Sequence, residues 1–308
     1  MATSVQLKTQ SYGKDRVRLV KVVRHPGGVQ DLAELTITVL LEGDFEASYA
    51  QADNRNVVAT DSVKNTIYVL AKRLPSVLPI ENFALTIGHH FLHTYGHVTR
   101  VHVSIQQHPW NRLVVDDEAH PHAFTRGGEW RRTTQLTTDA TLAAAAATAA
   151  WTARITSGFR GVSVLKTTGS SFSNFLRDQY TTLAETDDRI LSTNIDCQWS
   201  LSLTDPEALR VTDFSHTFDV VRQHTLKLFA QDNSASVQAT LFRMADVVLR
   251  DCPGVQEISY ALPNNHVFGV DLKPFGLNNT GANLDVYMPI SDPSGLITAT
   301  ITRKSANL

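Results

Sequence analysis

Two hydrophobic periodicities run along this chain, and the order in which they alternate predicts its elements. From Val17 to Val23, apolar and basic residues alternate as in a strand, and Leu32 to Leu41, through Thr36-Ile37-Thr38-Val39, reads as the partner strand. The Pro26-Gly27-Gly28 turn makes the two a hairpin. The spacing then changes. Val63, Ile67, Leu70 and Leu74 recur every three or four residues, which places them on one face of a helix over 62–74. A second helix over 80–95 follows Pro75 and Pro79. Period two returns from Val98 to Gln106, with Val101, Val103 and Ile105 set against His102 and Ser104, and a weaker strand follows Ala123.

The same order of strand, strand, helix, helix, strand, strand is expected a second time. Ile155–Thr167 and Ile190–Leu203 read as strands, Phe214–Ala230 and Val237–Arg250 as amphipathic helices, and Glu257–Leu272 and Leu284–Arg303 as closing strands. The repeat is topological, with no matching repeat of residues. Each unit lays a helix pair over one face of an antiparallel sheet, an α+β architecture of two ββααββ units. A length of 308 residues suits two such domains, drawn here as 12–141 and 142–303.

Composition narrows the function classes. A formal net charge of −2 gives no general attraction to nucleic acid or to an anionic membrane. Cys197 and Cys252 are the only cysteines and form no Cys-x-x-Cys pair, which argues against a disulfide scaffold or zinc ribbon and fits a reducing compartment. No apolar run reaches the ~18 residues of a membrane helix, and the first residues lack a signal peptide's apolar core. Nicotinamide, nucleotide and serine-hydrolase motifs are missing. His89, His93 and His97 are spaced four apart, as metal ligands on a helix can be, with His102, His108, His120 and His122 further on. No carboxylate or cysteine recurs beside the first three, and Gly96 ends the helix before His97. They read as core or solvated histidines.

One stretch has more to say. Val57-Val58-Ala59 is apolar, and Thr60-Asp61 then stands where the helix begins. There, side-chain oxygens can cap unpaired N–H groups, and those same N–H groups favour anions. With Asp53-Asn54 before it and Lys64-Asn65-Thr66-Ile67-Tyr68 after it, the stretch resembles the signature of the urate oxidase (uricase) family. Further matches follow in order: Tyr12-Gly13-Lys14, Leu40-Leu41-Glu42-Gly43, His120-Pro121-His122-Ala123-Phe124, Leu165-Lys166-Thr167-Thr168 with Phe172, and Phe175 to Leu183. Then come Glu185 to Thr193 around Arg189, Asn233 to Thr240, Leu262-Pro263-Asn264-Asn265-His266, and Ser291 to Ile297.

The resemblance implies a tandem T-fold. Two subunits close their sheets into a barrel, and two barrels stack as a homotetramer with active sites at subunit interfaces; closure also removes exposed sheet edges. It implies oxidation of urate by molecular oxygen to 5-hydroxyisourate and hydrogen peroxide, with no metal and no organic cofactor. Arg189 and Gln238 are expected to clamp the purine edge, through a charged planar fork and an amide. Phe172 stacks on its face, with Leu183 alongside, and the backbones of Asp61 and Val237 add N–H donors. Lys14, Thr60 and His266 form the catalytic relay, Thr60 also touching the purine, and Asn264 holds oxygen or water. A threonine hydroxyl needs a neighbour to take its proton. A lysine can do so only if its pKa falls well below about 10.4, whereas histidine titrates near neutral pH. Asn265, where relatives often carry lysine, points away from the site. The alanine-rich 142–150 lies where the family has a strand leading into its second half, and is expected to be a domain junction.

Two other readings compete: a purine- or pterin-converting T-fold enzyme with metal-bound histidines, and a purine-binding scaffold without turnover. Many eukaryotic relatives end in a Ser-Lys-Leu type peroxisomal signal. Here the last residues are Lys304-Ser305-Ala306-Asn307-Leu308, and a cytoplasmic location is expected.

Overall fold

The structure, a computed structural model, describes residues 5–141 and 151–304, so the alanine-rich stretch and its expected junction role lie outside the described residues. In chain order the elements are β1 (Tyr12–Arg24), β2 (Gln30–Gly43), α1 (Glu46–Ala50), α2 (Thr60–Arg73), α3 (Ile80–Thr94), β3 (Val98–His108), β4 (Trp110–Val115), β5 (Glu118–Arg126) and β6 (Arg131–Asp139). After these come β7 (Thr152–Lys166), β8 (Leu191–Leu201), α4 (Pro206–Arg210), α5 (Phe214–Gln231), α6 (Val237–Asp251), β9 (Val255–Gly269) and β10 (Tyr287–Thr302). The two expected ββααββ orders are present. Contacts divide the chain into one unit of Met1–Phe159 with Trp199–Phe218, and another of Arg160–Gln198 with Asp219–Leu308.

In the first unit the strand order is β1-β2-β3-β6, antiparallel throughout. Alternation fixes the faces: Leu35, Ile37, Val39 and Leu41 of β2 and Val101, Val103 and Ile105 of β3 are all buried. Against them α2 buries Val63, Ile67 and Ala71, with Leu70 and Leu74 partly covered, and α3 buries Phe83, Ile87 and Phe91. The apolar stripe read from the sequence is thus the packed one.

A bulge breaks the β1–β2 ladder. Lys14 pairs with Val39 and Val17 with Ile37, so Asp15 and Arg16 together face the single residue Thr38. Arg16 takes the strained φ of 51°. By absorbing the extra residue, the bulge keeps Tyr12 and Lys14 on the face that Val17 and Leu19 bury, the side on which α2 lies. Beside it Gly13 is obligatory, because a Cβ there would sit 1.9 Å from the Val39 carbonyl oxygen.

The strand expected after Ala123 proves to be part of a separate two-stranded hairpin, β4–β5, while β6 supplies the fourth strand of the sheet. Its two-residue turn, Asp116-Asp117, has φ of 51° and 62° at both positions, a geometry usually signalled by Asn-Gly or Asp-Gly. Glu34 of β2 anchors this hairpin. Its carboxylate accepts from Trp110 Nε1 at 2.9 Å and Arg126 Nη1 at 3.0 Å, and it also takes Arg18. Burial pushes the Glu34 carboxyl up, but the Trp110 and Arg18 hydrogen bonds and the Arg126 charge outweigh that and hold it at about 2.

A depressed carboxyl stabilises the fold above its unfolded pKa, and that contribution is lost as pH falls from about 4.5 towards about 2. From pH 6 to pH 3 the loss is about 2 kcal/mol. Glu34→Gln is therefore expected to be less stable at pH 6 and less acid-sensitive below it, read as urea-melt midpoints at pH 6, 4 and 3. Parallel pH dependences in parent and variant would exclude Glu34 as the source.

In the second unit the order is β7-β8-β9-β10. Val237, Leu241, Met244, Ala245 and Val248 of α6 are buried, as are Ile258, Tyr260 and Leu262 of β9. The β9–β10 ladder shifts register between Ile290 and Gly295, which face His266 and Asn264 respectively.

Candidate active site

In the first unit, Tyr12 links the strand bearing Lys14 to the helix that begins at Thr60. Its hydroxyl accepts the Val58 N–H at 2.7 Å, and its ring meets Phe45 edge-on with centroids 4.7 Å apart. Thr60 and Asp61 are the first two residues of α2. The residue before them, Ala59, offers no side-chain cap. The capping role allowed for Thr60 and Asp61 is not adopted: the Asp61 carboxylate instead accepts Lys64 Nζ at 2.6 Å and Asn65 Nδ2 at 2.9 Å. The first-turn N–H groups of α2 are therefore left without a side-chain cap, which suits an anionic or carbonyl acceptor. The Lys64 hydrogen bond and charge hold the exposed Asp61 carboxyl below its usual range, with the ammonium of Lys14 adding to the effect. Lys14 thus lies within electrostatic reach of the helix start.

In the second unit, Phe172, Leu183 and Arg189 belong to residues 167–190, a stretch without helix or ladder strand between β7 and β8. Phe172 exchanges backbone hydrogen bonds with Thr186 at 2.8 and 3.0 Å, and its ring stacks on Phe175 at 4.9 Å and 10°. The Arg189 guanidinium sits over Phe172, 5.2 Å from the ring centroid. Its Nε is buried without a hydrogen-bond partner among the described residues, and burial lowers its pKa. A permanently charged donor left unmatched in this way favours an anion. Leu183 is 52% exposed.

Val237 and Gln238 open α6, whose cap Ser236 accepts the Ala239 N–H at 3.1 Å; Val237 is buried and Gln238 exposed. This helix start is tied to the Arg189 segment: Ser234 donates its N–H to Gly169 O at 3.0 Å, and its carbonyl accepts the Ser171 N–H at 2.8 Å. Asn264 and His266, two apart on β9, share the strand face of Tyr260 and Leu262, and Asn265 takes the other.

The sequence reading missed Tyr12 as a tether and Asp188 as a hub for the segment. Each is adjacent or nearly adjacent to a residue it did select, and that proximity was the only available signal. As for the histidines, the His89 and His93 rings lie 4.0 Å apart on α3, whereas His97 lies beyond the helix and bonds the Asn56 carbonyl at 2.7 Å. Among the described residues no three His, Cys, Asp or Glu side chains converge as metal ligands.

Comparison with known proteins agrees with this arrangement of elements. The Uricase family profile matches residues 10–137 and 155–298. The uricase of Aspergillus flavus is 45% identical over 304 residues, spanning 97% of each chain. That of Arthrobacter globiformis is 38% identical, and its crystal structure superposes with a TM-score of 0.86 over 99% of this chain and 98% of that one. Urate oxidase from Bacillus sp. TB-90 shares the fold at 22% identity, with a TM-score of 0.82 over 96% of this chain and all of that one. A profile match over most of the chain, together with relatives this similar along their whole length, shows that the chain belongs to the uricase family.

Proposed function

We propose that this chain is a urate oxidase that converts urate, molecular oxygen and water to 5-hydroxyisourate and hydrogen peroxide without metal or organic cofactor. Urate gives up two electrons to oxygen, which leaves as peroxide; water supplies the new hydroxyl. The observation that carries the reading is the guanidinium of Arg189 over the Phe172 ring, its buried Nε without a hydrogen-bond partner among the described residues, on a segment bonded to the start of α6. A flat anion with hydrogen-bonding edges satisfies all three features: the fork, the aromatic face and the helix N–H groups. In this reading Arg189 and Gln238 hold the purine edge, Phe172 and Leu183 its face, and the Val237 and Asp61 N–H groups its acceptors. Lys14, Thr60 and His266 move protons, and Asn264 holds oxygen and then water.

The test adds urate without oxygen and then admits oxygen to metal-stripped protein. Loss of urate absorbance with oxygen uptake and peroxide formation is expected. No turnover would overturn the assignment, and turnover only after zinc is restored would favour a metal-dependent relative.

The proposed assembly is a homotetramer whose sites each join the Lys14–Thr60–Asp61 half of one chain to the Arg189–Gln238–His266 half of another. Variants damaged in opposite halves then complement each other. Co-refolded Thr60→Ala and Arg189→Ala chains are expected to regain part of the parent activity, because some mixed sites receive both intact halves. A demonstrably mixed oligomer with no regain would mean sites built within one chain. A cytoplasmic location accords with two cysteines that are both free and buried, and no described helix is long and apolar enough to cross a membrane.

A further inference from the structure

Arg189 follows directly on an acidic residue, Asp188, yet among the described residues no ion pair joins their side chains. The Asp188 carboxylate turns to the strand end instead. One oxygen accepts the Thr168 hydroxyl at 2.6 Å, and the other accepts the N–H of Gly169 at 2.8 Å and of Ser170 at 3.4 Å. Ser170 closes the ring by accepting the Arg189 N–H on its carbonyl at 2.7 Å. The Thr186 hydroxyl donates to the Asp188 carbonyl at 2.7 Å, and Thr186 is the backbone partner of Phe172. Gly169 and Ser171 bond in turn to Ser234, two residues before the cap of α6.

From this geometry we infer that Asp188 is the positioning residue of the anion clamp, fixing Arg189, Phe172 and the start of α6 in one hydrogen-bonded frame. The inference rests on the urate reading for its ligand. Two features carry it. First, the stretch from 167 to 190 has no ladder of its own, so on the side away from β8 the backbone of Arg189 is held by these few bonds. Second, a carboxylate beside a guanidinium would ordinarily neutralise it. Here its acceptor sites are filled by Thr168, Gly169 and Ser170, and no ion pair to Arg189 exists among the described residues. The cation stays available to a ligand while its backbone is held. The carboxyl lies below its usual range, chiefly through the Thr168 hydroxyl, so it accepts from these donors as an anion at neutral pH.

Asp188→Ala is expected to raise the urate KM and the Kd of the inert analogue 8-azaxanthine by about 10–100-fold, the scale of losing hydrogen bonds to a charged group. Turnover at saturation should change by less than about threefold, because interactions lost equally from ground and transition states leave kcat alone. Asp188→Glu should recover part of the binding. Hydrogen exchange of the Gly169, Ser170 and Arg189 amides should accelerate in the alanine variant. Thr168→Val, which removes a single donor, gives a smaller rise in KM and serves if Asp188→Ala does not fold. Parent-like 8-azaxanthine binding in Asp188→Ala, or in Thr168→Val where that is the folded variant, overturns the inference; so does a fall in kcat with KM unchanged. Should the parent itself neither bind nor oxidise urate, the urate reading fails. The amide exchange still tests the frame, and unaltered exchange in Asp188→Ala then overturns it.

Discussion

Lys14→Met and Thr60→Ala each slow urate turnover by about 10²–10⁴-fold, the usual contribution of a positioned acid–base group, and combining them costs little more than the slower single change. The geometry behind this is local to the first unit. The bulge keeps Lys14 on the α2 side, Tyr12 holds the approach to Thr60, and the Lys14 charge is felt at Asp61, the next residue. Two groups that pass one proton fail as a unit, so deleting the second removes what the first deletion had already disabled. Binding of 8-azaxanthine is spared in Lys14→Met and nearly so in Thr60→Ala, which keeps its backbone N–H. Removing His266 changes the shape of the pH–rate profile, because the relay then loses one of its acid–base groups. Single-turnover rates against pH for the four variants decide the matter. Fully multiplicative losses for Lys14 and Thr60 would show that they act independently and end the relay assignment.

Arg189→Ala weakens binding of urate and of 8-azaxanthine by about 10²–10³-fold, the scale of truncating one partner of a buried charged contact. The substitution removes the charge, both prongs of the fork and the group lying over Phe172. Arg189→Lys restores only part, because an ammonium offers a point charge where a planar edge needs parallel donors. Calorimetric titration with 8-azaxanthine is the check, and an alanine variant as tight as the parent would remove Arg189 from the clamp.

What could be read from the chain beforehand divides along physical lines. Alternation in β2 and β3 and the spacing of Val63 and Ile67 announced themselves because burial of one face dictates residue type at fixed intervals. The β4–β5 hairpin did not. Pro109 and Pro121 interrupt the pattern, its residues are mostly exposed, and Asp116-Asp117 is a weak turn signal. Residues 167–190 have no period at all, so Phe172 and Arg189 could be selected only through the ordered motifs of the family. Even those motifs did not reveal what Asp188 does, because its partners are backbone amides and a hydroxyl, which leave almost no trace in residue type. The start of α2 was legible at Thr60-Asp61, but whether the Asp61 side chain caps it was not: Asp61 prefers Lys64 and Asn65 to its own helix end, a choice made by neighbours one turn away.

The two-against-one pairing at Asp15-Arg16 has a consequence for how this protein can vary. The side of the sheet on which Lys14 emerges is decided by the pairing, with two residues on one strand answering to one on the other. Neither Asp15 nor Arg16 has to be any particular amino acid for that arithmetic to hold. Both are exposed, and exchanging their side chains leaves the parity untouched. Were the ladder to run on unbroken through both residues, Lys14 would stand opposite Leu40 and on the other face; dropping either one would straighten the ladder and leave Lys14 opposite Val39. The face of Lys14 is therefore guarded by strand register rather than by residue type, so a single-codon deletion here costs the bulge and its local twist but not the side on which Lys14 emerges.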